Sequence, residues 1–251
     1  MPEKTLRYFL EIAYEGTQYH GWQQQQNATT IQGIIQMCLS QILREEVKIV
    51  GSSRTDTGVH AQQQFAHVNL ACTVVVDRLC YQLNAVLPPD IAVVAIRPVK
   101  PTAHARHDAL YRTYTYTIVR HKTPLQRKTS YLFRRVLDIA KMNEAAAILC
   151  RKQDFKALCR VRTSDIRFLC TVTEAGWLVR EEQLIFRIKA NRFLRSMVRI
   201  IVGLLLKVGQ GELSIAAFEA RIDQKERDLL TNLVPARGLV LTQVIYPEAV
   251  F

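Results

Sequence analysis

The sequence lacks the features that mark secreted, zinc-stabilised and membrane-spanning proteins. Its six cysteines form no Cys-x-x-Cys pair and have no histidine at zinc-finger spacing, so we expect reduced, partly buried cysteines and no disulfide framework. The most apolar run, residues 197–206, contains Arg199 and falls well short of the roughly 20 residues that cross a bilayer. No apolar signal segment follows the first residues. We therefore expect a cytosolic protein.

Glycine-rich phosphate-binding loops and sets of metal ligands are also absent from the sequence. His60 and His67 lack a third ligand at suitable spacing, so structural hydrogen bonding is the favoured interpretation of both. The sequence accordingly predicts that the protein uses no cofactor and no metal ion.

Acidic residues are outnumbered by basic ones. The chain has 34 Lys and Arg against 22 Asp and Glu, which gives a net charge of +12 and a pI near 9.6. The excess is spread along the chain, which is typical of a folded basic surface, and nucleic acid is the leading candidate for an anionic partner. The alternative is a basic surface that only keeps the protein in solution. Hydrophobic residues make up 49% of the 251 residues, enough for one large core or two modest ones.

Periodic apolar residues predict a chain in which strands and helices alternate. The best candidate boundary is the proline-containing stretch from Pro98 to Asp108, which divides an N-terminal α+β domain, residues 1–104, from a C-terminal α+β domain, residues 105–251. Thr29 and Gln32 fit a capping box for the first helix, and Asp77 is placed to cap the second. Strands are predicted at 6–14, 47–50, 64–68, 91–96, 112–119, 169–174, 184–190 and 239–246. Helices are predicted at 31–42, 138–150 and 193–208, with short ones after Asp77 and Ser214.

One loop stands out as a candidate site. Residues 51–61 are rich in polar and turn-forming side chains and connect two predicted strands, the usual way in which a rigid sheet presents reactive groups. Asp56 is the only carboxylate in this loop, and Arg54, Gly58 and His60 lie close to it in the sequence. An isolated aspartate in a turn is more often a local hydrogen-bonding residue than a catalytic one. The loop alone therefore leaves both roles open.

Two further patterns could carry chemistry. Arg112, Tyr114 and Tyr116 alternate along one predicted strand, so their side chains share one face, and a core or cross-strand role is as good an interpretation as a binding role. Arg199 lies on a strongly apolar helix, where a guanidinium needs a partner. From its spacing alone, a structural salt bridge or a side chain that extends to the surface is the favoured interpretation of Arg199.

Residues 53–61, Ser-Arg-Thr-Asp-Thr-Gly-Val-His-Ala, resemble the Gly-Arg-Thr-Asp-Ala-Gly-Val-His-Ala signature of the tRNA pseudouridine synthase A family. The departures are Ser53 and Thr57. The family's Phe-His-Ala-Arg is also present at 103–106, with alanine in place of phenylalanine. Five further segments match family motifs in order: Tyr19–Gln25, Asn84–Ile91, Arg112–Tyr116, Met197–Gly203 and Pro235–Leu239.

The resemblance implies an α+β pseudouridine synthase fold. In that fold two related mixed α/β halves, with antiparallel sheets, form a central basic cleft with the Asp56 loop at its floor. It also implies a homodimer that isomerises uridine to pseudouridine at positions 38, 39 or 40 in the anticodon stem-loop of tRNA. Asp56 would be the essential carboxylate. Whether Asp56 acts as a nucleophile or as a general base is left open, since both roles need it ionised.

The resemblance also assigns roles to the other candidates. Tyr114 would pack on the target base, whereas Tyr116 is interpreted as structural. Arg199 would pair with Asp56 and keep it ionised. Arg54 and Arg106 would help to hold the displaced nucleotide.

Two alternatives remain. One is a catalytically silent RNA-binding or RNA-folding protein, although Asp56, Tyr114 and Arg199 are all present. The other is a hydrolase that releases free uracil, although ordinary glycosidases use two carboxylates and no second one shares the Asp56 loop.

Overall fold

The computed structural model describes residues 6–160, 168–223 and 233–251. Among these residues, those up to Leu110 and those from Leu241 to Phe251 form one compact unit, and those from Tyr111 to Val240 form a second. Both units combine helices with mainly antiparallel strands, so the predicted α+β class is confirmed. The sequence-based division into residues 1–104 and 105–251 stays a prediction about folding domains.

The first unit is built on a sheet whose central strand is the first of the chain. Its strands are β1 (Leu6–Tyr14), β2 (Ile49–Gly51), β3 (His60–Leu70) and β4 (Ile91–Val99), and its helices are α1 (Ile31–Leu43) and α2 (Val76–Val86). β1 lies between β3 and β4 and is antiparallel to both, and β2 also pairs with β3. Phe9, Leu10 and Ile12 are almost fully buried. The apolar residues on both faces of β1 thus correctly predicted a central strand.

The last residues of the chain complete the core of the first unit. The rings of Tyr246 and Phe251 meet the ring of Phe9 edge-on, at centroid distances of 5.3 and 5.9 Å. Edge-to-face contacts of this kind add to the free energy gained from burial alone. The C-terminal strand, β9 (Leu239–Ile245), therefore leads the chain back into the unit where it began.

The described residues of the second unit form a sheet and three α-helices. Its strands are β5 (Tyr111–Val119), β6 (Tyr131–Leu132), β7 (Val172–Arg180) and β8 (Gln183–Ala190), and its helices are α3 (Ile139–Ile148), α4 (Met197–Gly209) and α5 (Ile215–Asp223). β8 lies between β5 and β7 and is antiparallel to both, whereas β6 is parallel to β5. In α4, every residue except Arg199 and Lys207 is buried. Within the described part of the chain, α4 and the other helices are too short or too polar to span a membrane.

Both predicted helix caps in the first unit are wrong. Thr30, and not Thr29, caps α1, where its hydroxyl accepts a hydrogen bond from the backbone N–H of Gly33. Gln32 takes no part in a capping box because its side-chain oxygen accepts from the amide of Gln23 at 2.8 Å and from the backbone N–H of Gln24 at 2.9 Å, while its amide nitrogen donates to the carbonyl of Ile49 at 2.8 Å. Asp77 lies in the first turn of α2, where a carboxylate favours the helix dipole, but the preceding residue at the cap makes no side-chain hydrogen bond.

The predicted start of α4 is also wrong. The sequence pattern begins the helix at Phe193, but α4 begins at Met197, after Ser196 in the left-handed conformation with φ 60°. A left-handed residue interrupts a right-handed helix. Phe193 is thereby left outside the helix, where its ring contacts Tyr114 in the second unit.

His67 of β3 is a buried imidazole in a group of positively charged neighbours. Its Nδ1 accepts a hydrogen bond from the backbone N–H of Ala105 at 3.1 Å, and its ring centroid is 4.6 Å from that of His104. The pKa of His67 is lowered to about 4, mainly by burial; His104, Arg7 and His107 act in the same direction and Asp108 opposes them. Between pH 6.5 and about 4, His67 therefore stays neutral in the folded protein but binds a proton in the unfolded chain.

We expect the stability of the first unit to fall as the pH drops from about 6.5 towards 4, because protonation of His67 favours the unfolded chain in this window. His67→Gln should weaken this pH dependence, as measured from urea unfolding midpoints between pH 4 and 7.5. His121→Gln, at an exposed histidine, is the control and should keep it. An unchanged slope in His67→Gln would show that His67 does not control this transition.

Candidate active site

Asp56 lies in the connection between β2 and β3. The loop is shorter than the sequence predicted, because His60 and Ala61 are already the first residues of β3. Nδ1 of His60 accepts a hydrogen bond from the backbone N–H of Gly16 at 2.9 Å. His60 and His67 thus both make the structural hydrogen bonds that the sequence predicted. Asp56 itself is partly exposed, and Arg54 is exposed.

The backbone of the loop is fixed to the segment Tyr19–Gln25. Trp22 donates its backbone N–H to the carbonyl of Thr55 at 3.2 Å, and Gly58 donates to the carbonyl of Tyr19 at 3.2 Å. Gly21 lies between these two contacts with φ 85°, and a Cβ there would be only 2.4 Å from the carbonyl oxygen of Thr55. Glycine is therefore required for both its backbone angle and its small size. Two sequence motifs more than 30 residues apart form one structural piece.

A third motif, Asn84–Ile91, supports the same piece from α2 and β4. The amide of Asn84 donates to the carbonyl of Val93 at 2.8 Å and accepts from its N–H at 2.9 Å. Asp90 accepts a hydrogen bond from the hydroxyl of Tyr19. Burial raises the pKa of Tyr19, and the hydrogen bond to Asp90 raises it further. Tyr19 is therefore a neutral donor, and its hydrogen bond links the Asn84–Ile91 motif to the segment that holds the Asp56 loop.

Side-chain hydrogen bonds hold the arm of the loop that precedes Asp56. The hydroxyls of Thr55 and Tyr14 are 2.9 Å apart and buried. On the same arm, the hydroxyl of Ser52 donates to the amide oxygen of Gln64, and the amide nitrogen of Gln64 donates to the carbonyl of Ser53 at 2.8 Å. Buried polar groups that are all paired favour one conformation over others. The residues before Asp56 are thus held by side chains, and Gly58 after it is held by its backbone hydrogen bond to Tyr19.

Arg106 is presented by a turn in the first unit. The carbonyl of Ala103 accepts a hydrogen bond from Arg7 at 2.8 Å, the N–H of Ala105 binds His67, and the N–H of Arg106 donates to Nδ1 of His104 at 3.1 Å. The side chain of Arg106 is exposed. Ala103, which stands where the family has phenylalanine, is 4% exposed, so the turn remains packed without the larger ring.

The second unit holds Tyr114 and Tyr116 on neighbouring alternate positions of β5. Tyr114 is 6% exposed, and its ring meets that of Phe193 edge-on at 5.1 Å. Tyr116 is fully buried, and its hydroxyl donates to the carbonyl of Pro235 at 2.8 Å. Burial raises the pKa of Tyr116. These contacts support the structural interpretation of Tyr116.

Arg199 lies on α4 beside the same tyrosine. Its Nε donates to the carbonyl of Val234 at 2.8 Å, and its charge, with that of Arg237, opposes the effect of burial on the pKa of Tyr116. A Cβ on Gly238 would be 2.7 Å from Cζ of Tyr116. The motifs at 112–116, 197–203 and 235–239 therefore meet around the ring of Tyr116. Arg237 lies in the motif Pro235–Leu239, but no local sequence pattern predicted a role for its side chain.

The predicted site residues fall into two groups. Asp56, Arg54 and Arg106 belong to the first unit, and Tyr114 and Arg199 to the second. The pairing of Arg199 with Asp56 therefore stays a prediction from the family resemblance. Among the residues that the structure describes, no group of three or more His, Cys, Asp or Glu side chains could hold a metal ion.

Comparison with known proteins identifies the family. A family model described as tRNA pseudouridine synthase matches residues 12–108 and 145–247. The chain is 42% identical over 249 residues to tRNA pseudouridine synthase A of Porphyromonas gingivalis, covering 98% of this chain and 99% of that protein. It is 41% identical to the protein of the same name from Bacteroides thetaiotaomicron, covering 98% and 92%. It is 36% identical to that of Chlorobium luteolum, covering 95% of each chain. The chain belongs to the tRNA pseudouridine synthase family.

Proposed function

We propose that this protein isomerises uridine to pseudouridine in tRNA, with Asp56 as the essential carboxylate. The observation that carries the proposal is the support of the Asp56 loop by two other matched motifs, through Gly21, Trp22, Tyr19 and Asp90. The names of the relatives, tRNA pseudouridine synthase A, support the same reaction. Following the resemblance, the target is one or more of positions 38 to 40 in the anticodon stem-loop.

The reaction breaks the N-glycosidic bond, turns the uracil within the site and joins its carbon 5 to the ribose. It consumes no outside group, so the requirement on the protein is an ionised carboxylate at a fixed place. Asp56 meets this requirement as a nucleophile or as a general base. A turn held by hydrogen bonds on both sides reduces the reorganisation that the reaction requires.

The uridine must leave the helical stack before its glycosidic bond can be reached. Tyr114 provides the aromatic surface for the displaced base. Arg54 and Arg106 are exposed cations that bind the phosphates of the displaced strand. Arg199 pairs with Asp56 and keeps it ionised. The enzyme acts as a homodimer in the cytosol.

Asp56→Asn should abolish pseudouridine formation because the amide cannot act as a base or a carboxylate nucleophile. Affinity for tRNA should stay within about twofold, since it comes mainly from phosphate contacts. The measurement is pseudouridine mapping of an unmodified tRNA transcript, combined with a binding titration. Asp77→Asn, at an exposed aspartate of α2, is the matched control and should retain full activity.

Three outcomes of this experiment contradict the proposal in different ways. Normal turnover by Asp56→Asn would remove Asp56 from the mechanism. If the protein without substitutions binds tRNA tightly but forms no pseudouridine at any position, the result would favour a silent RNA-binding protein. Release of free uracil would indicate a hydrolase.

Tyr114→Phe should keep most of the activity, and Tyr114→Leu should lose it by about 10- to 100-fold, because base stacking on an aromatic ring contributes about 1–3 kcal/mol. The measurement is kcat/KM for pseudouridine formation. Tyr81→Leu, at a tyrosine that is 76% exposed on α2, controls for the loss of a tyrosine elsewhere. An equal loss in Tyr114→Phe and Tyr114→Leu would assign the effect to the hydroxyl instead.

Gly21→Ala should lower kcat by about 10- to 100-fold, since a displacement near 1 Å of a reacting group has effects of this size. Gly211→Ala is a close control: Gly21 has φ 85° and Gly211 φ 75°, but a Cβ on Gly211 meets nothing within 4 Å. Both variants should lose about 1–2 kcal/mol of stability from backbone strain. Only Gly21→Ala should lose turnover, and equal kcat values in the two variants would contradict the role of Gly21.

A further inference from the structure

One stretch, which belongs to the second unit from Tyr111 onwards, has no acidic residue over 29 positions. Residues 109–137 contain no Asp and no Glu, although the chain as a whole has 22 of them. The same stretch carries seven permanent cations: Arg112, Arg120, Lys122, Arg127, Lys128, Arg134 and Arg135. Arg112 is buried on β5, whereas the other six are exposed.

The backbone brings two of these cations to the same end of β5. β5 and β6 are parallel, with Val119 opposite Leu132, so both strands end at the same edge. The N–H of Phe133 donates to the carbonyl of Val119 at 2.9 Å, which holds the two ends together. Arg120 and Arg134 follow these strand ends within one or two residues. They therefore emerge side by side.

The turn between the two strands is held at the same end. Gln183, which is opposite Val119 in the pairing of β8 with β5, donates its amide to the side chain of Gln126 at 2.9 Å. Ser130 donates its hydroxyl to the carbonyl of Gln126 at 2.8 Å. Since Gln126 is fixed next to the end of β5, the cations that flank it lie there too. We call this group the β5-end surface; it comprises Arg120, Lys122, Arg127 and Arg134.

The carboxylates that the structure describes beside this surface offset only part of its charge. Arg135 is left out of the β5-end surface because its guanidinium binds Glu212 at 2.8 Å. The turn between β7 and β8 brings Glu181 and Glu182, and Glu182 lies 3.8 Å from His121. Among the described residues, four cations against these two carboxylates leave a local charge of about +2, which attracts an anionic partner.

The position of this surface along β5 indicates what part of a nucleic acid it meets. Val119 is five residues beyond Tyr114, a distance of about 17 Å at roughly 3.3 Å per residue. Successive phosphates along a duplex strand are about 3.4 Å apart along the axis. For a duplex whose axis runs along β5, a base packed on Tyr114 therefore places the β5-end surface about five nucleotides away. We propose that the β5-end surface binds tRNA phosphates several nucleotides from the target uridine, an inference that rests on the proposed function of Tyr114.

The test is a fourfold variant, Arg120→Gln, Lys122→Gln, Arg127→Gln and Arg134→Gln. A matched fourfold control changes Arg44, Arg78, Lys100 and Arg151, all exposed, to Gln, so that both variants lose four charges from the net +12. Affinity for an unmodified tRNA transcript is measured from 50 to 300 mM salt. The β5-end variant should lower the slope of log affinity against log salt by about 3 to 3.5, since four phosphate contacts are lost at roughly 0.7 to 0.9 each. The fourfold control should change this slope by less than about 1.

Turnover and folding separate this inference from the proposed function. The β5-end variant should raise KM while kcat at saturating tRNA stays within about twofold, because the contact is remote from the reacting uridine. Arg120→Lys, Arg127→Lys and Arg134→Lys together should keep the normal slope, since phosphate contacts need the charge and not the guanidinium geometry. This charge-conserving variant also shows whether substitution at these positions disturbs the fold.

Two results would overturn the inference. An equal change of slope in both fourfold variants would mean that only the net charge matters, and an unchanged slope in the β5-end variant would mean that this surface does not bind tRNA. A protein that makes no pseudouridine but shows the expected difference in slope would contradict the proposed function and leave the β5-end surface as an RNA contact.

Discussion

The first unit depends on one close approach between two backbones, that of Gly21 and that of Thr55. A Cβ on Gly21 would come within 2.4 Å of the carbonyl oxygen of Thr55 and 3.1 Å of the carbonyl carbon of Asp56. Real Cβ atoms do not tolerate the first distance, so the segment from Tyr19 to Gln25 can lie against the Asp56 loop only with glycine at this position. The hydrogen bonds from Trp22 to Thr55 and from Gly58 to Tyr19 are possible because of this approach.

A network of buried hydroxyls and amides then limits the loop to one arrangement. Tyr14 holds Thr55, Tyr19 is held by Asp90, and Gln64 bridges Ser52 and Ser53. Burying any one of these groups without a partner would cost about 1–3 kcal/mol of folding free energy. An alternative loop conformation would break several of these bonds at once, because they share the same short segment. Asp56 is therefore carried by a loop whose geometry is set by the sheet beneath it.

In the second unit the distant motifs meet around an aromatic ring, whereas in the first unit they meet at a glycine. Tyr116 lies under Gly238, donates to Pro235 and is close to Arg199 and Arg237. These residues come from three segments that are up to about 120 positions apart in the sequence. The ring fills the space between them, and its hydroxyl donates to the carbonyl of Pro235. Tyr116 thus joins the three segments of the second unit that carry the matched motifs.

The sequence by itself determined the α+β class, most of the strands and the family to which the chain belongs. Alternating or helical spacing of apolar residues, such as the alternation in β1, indicates which side chains of a segment are buried. Only the tertiary structure decided which partners the polar groups take. Gln32 forms no capping box but donates its amide to the carbonyl of Ile49, and the loop ends at His60 because β3 begins there. The last residues belong to the first unit because Tyr246 and Phe251 pack on Phe9. The partners in each case are distant in the chain, so no local pattern could reveal them.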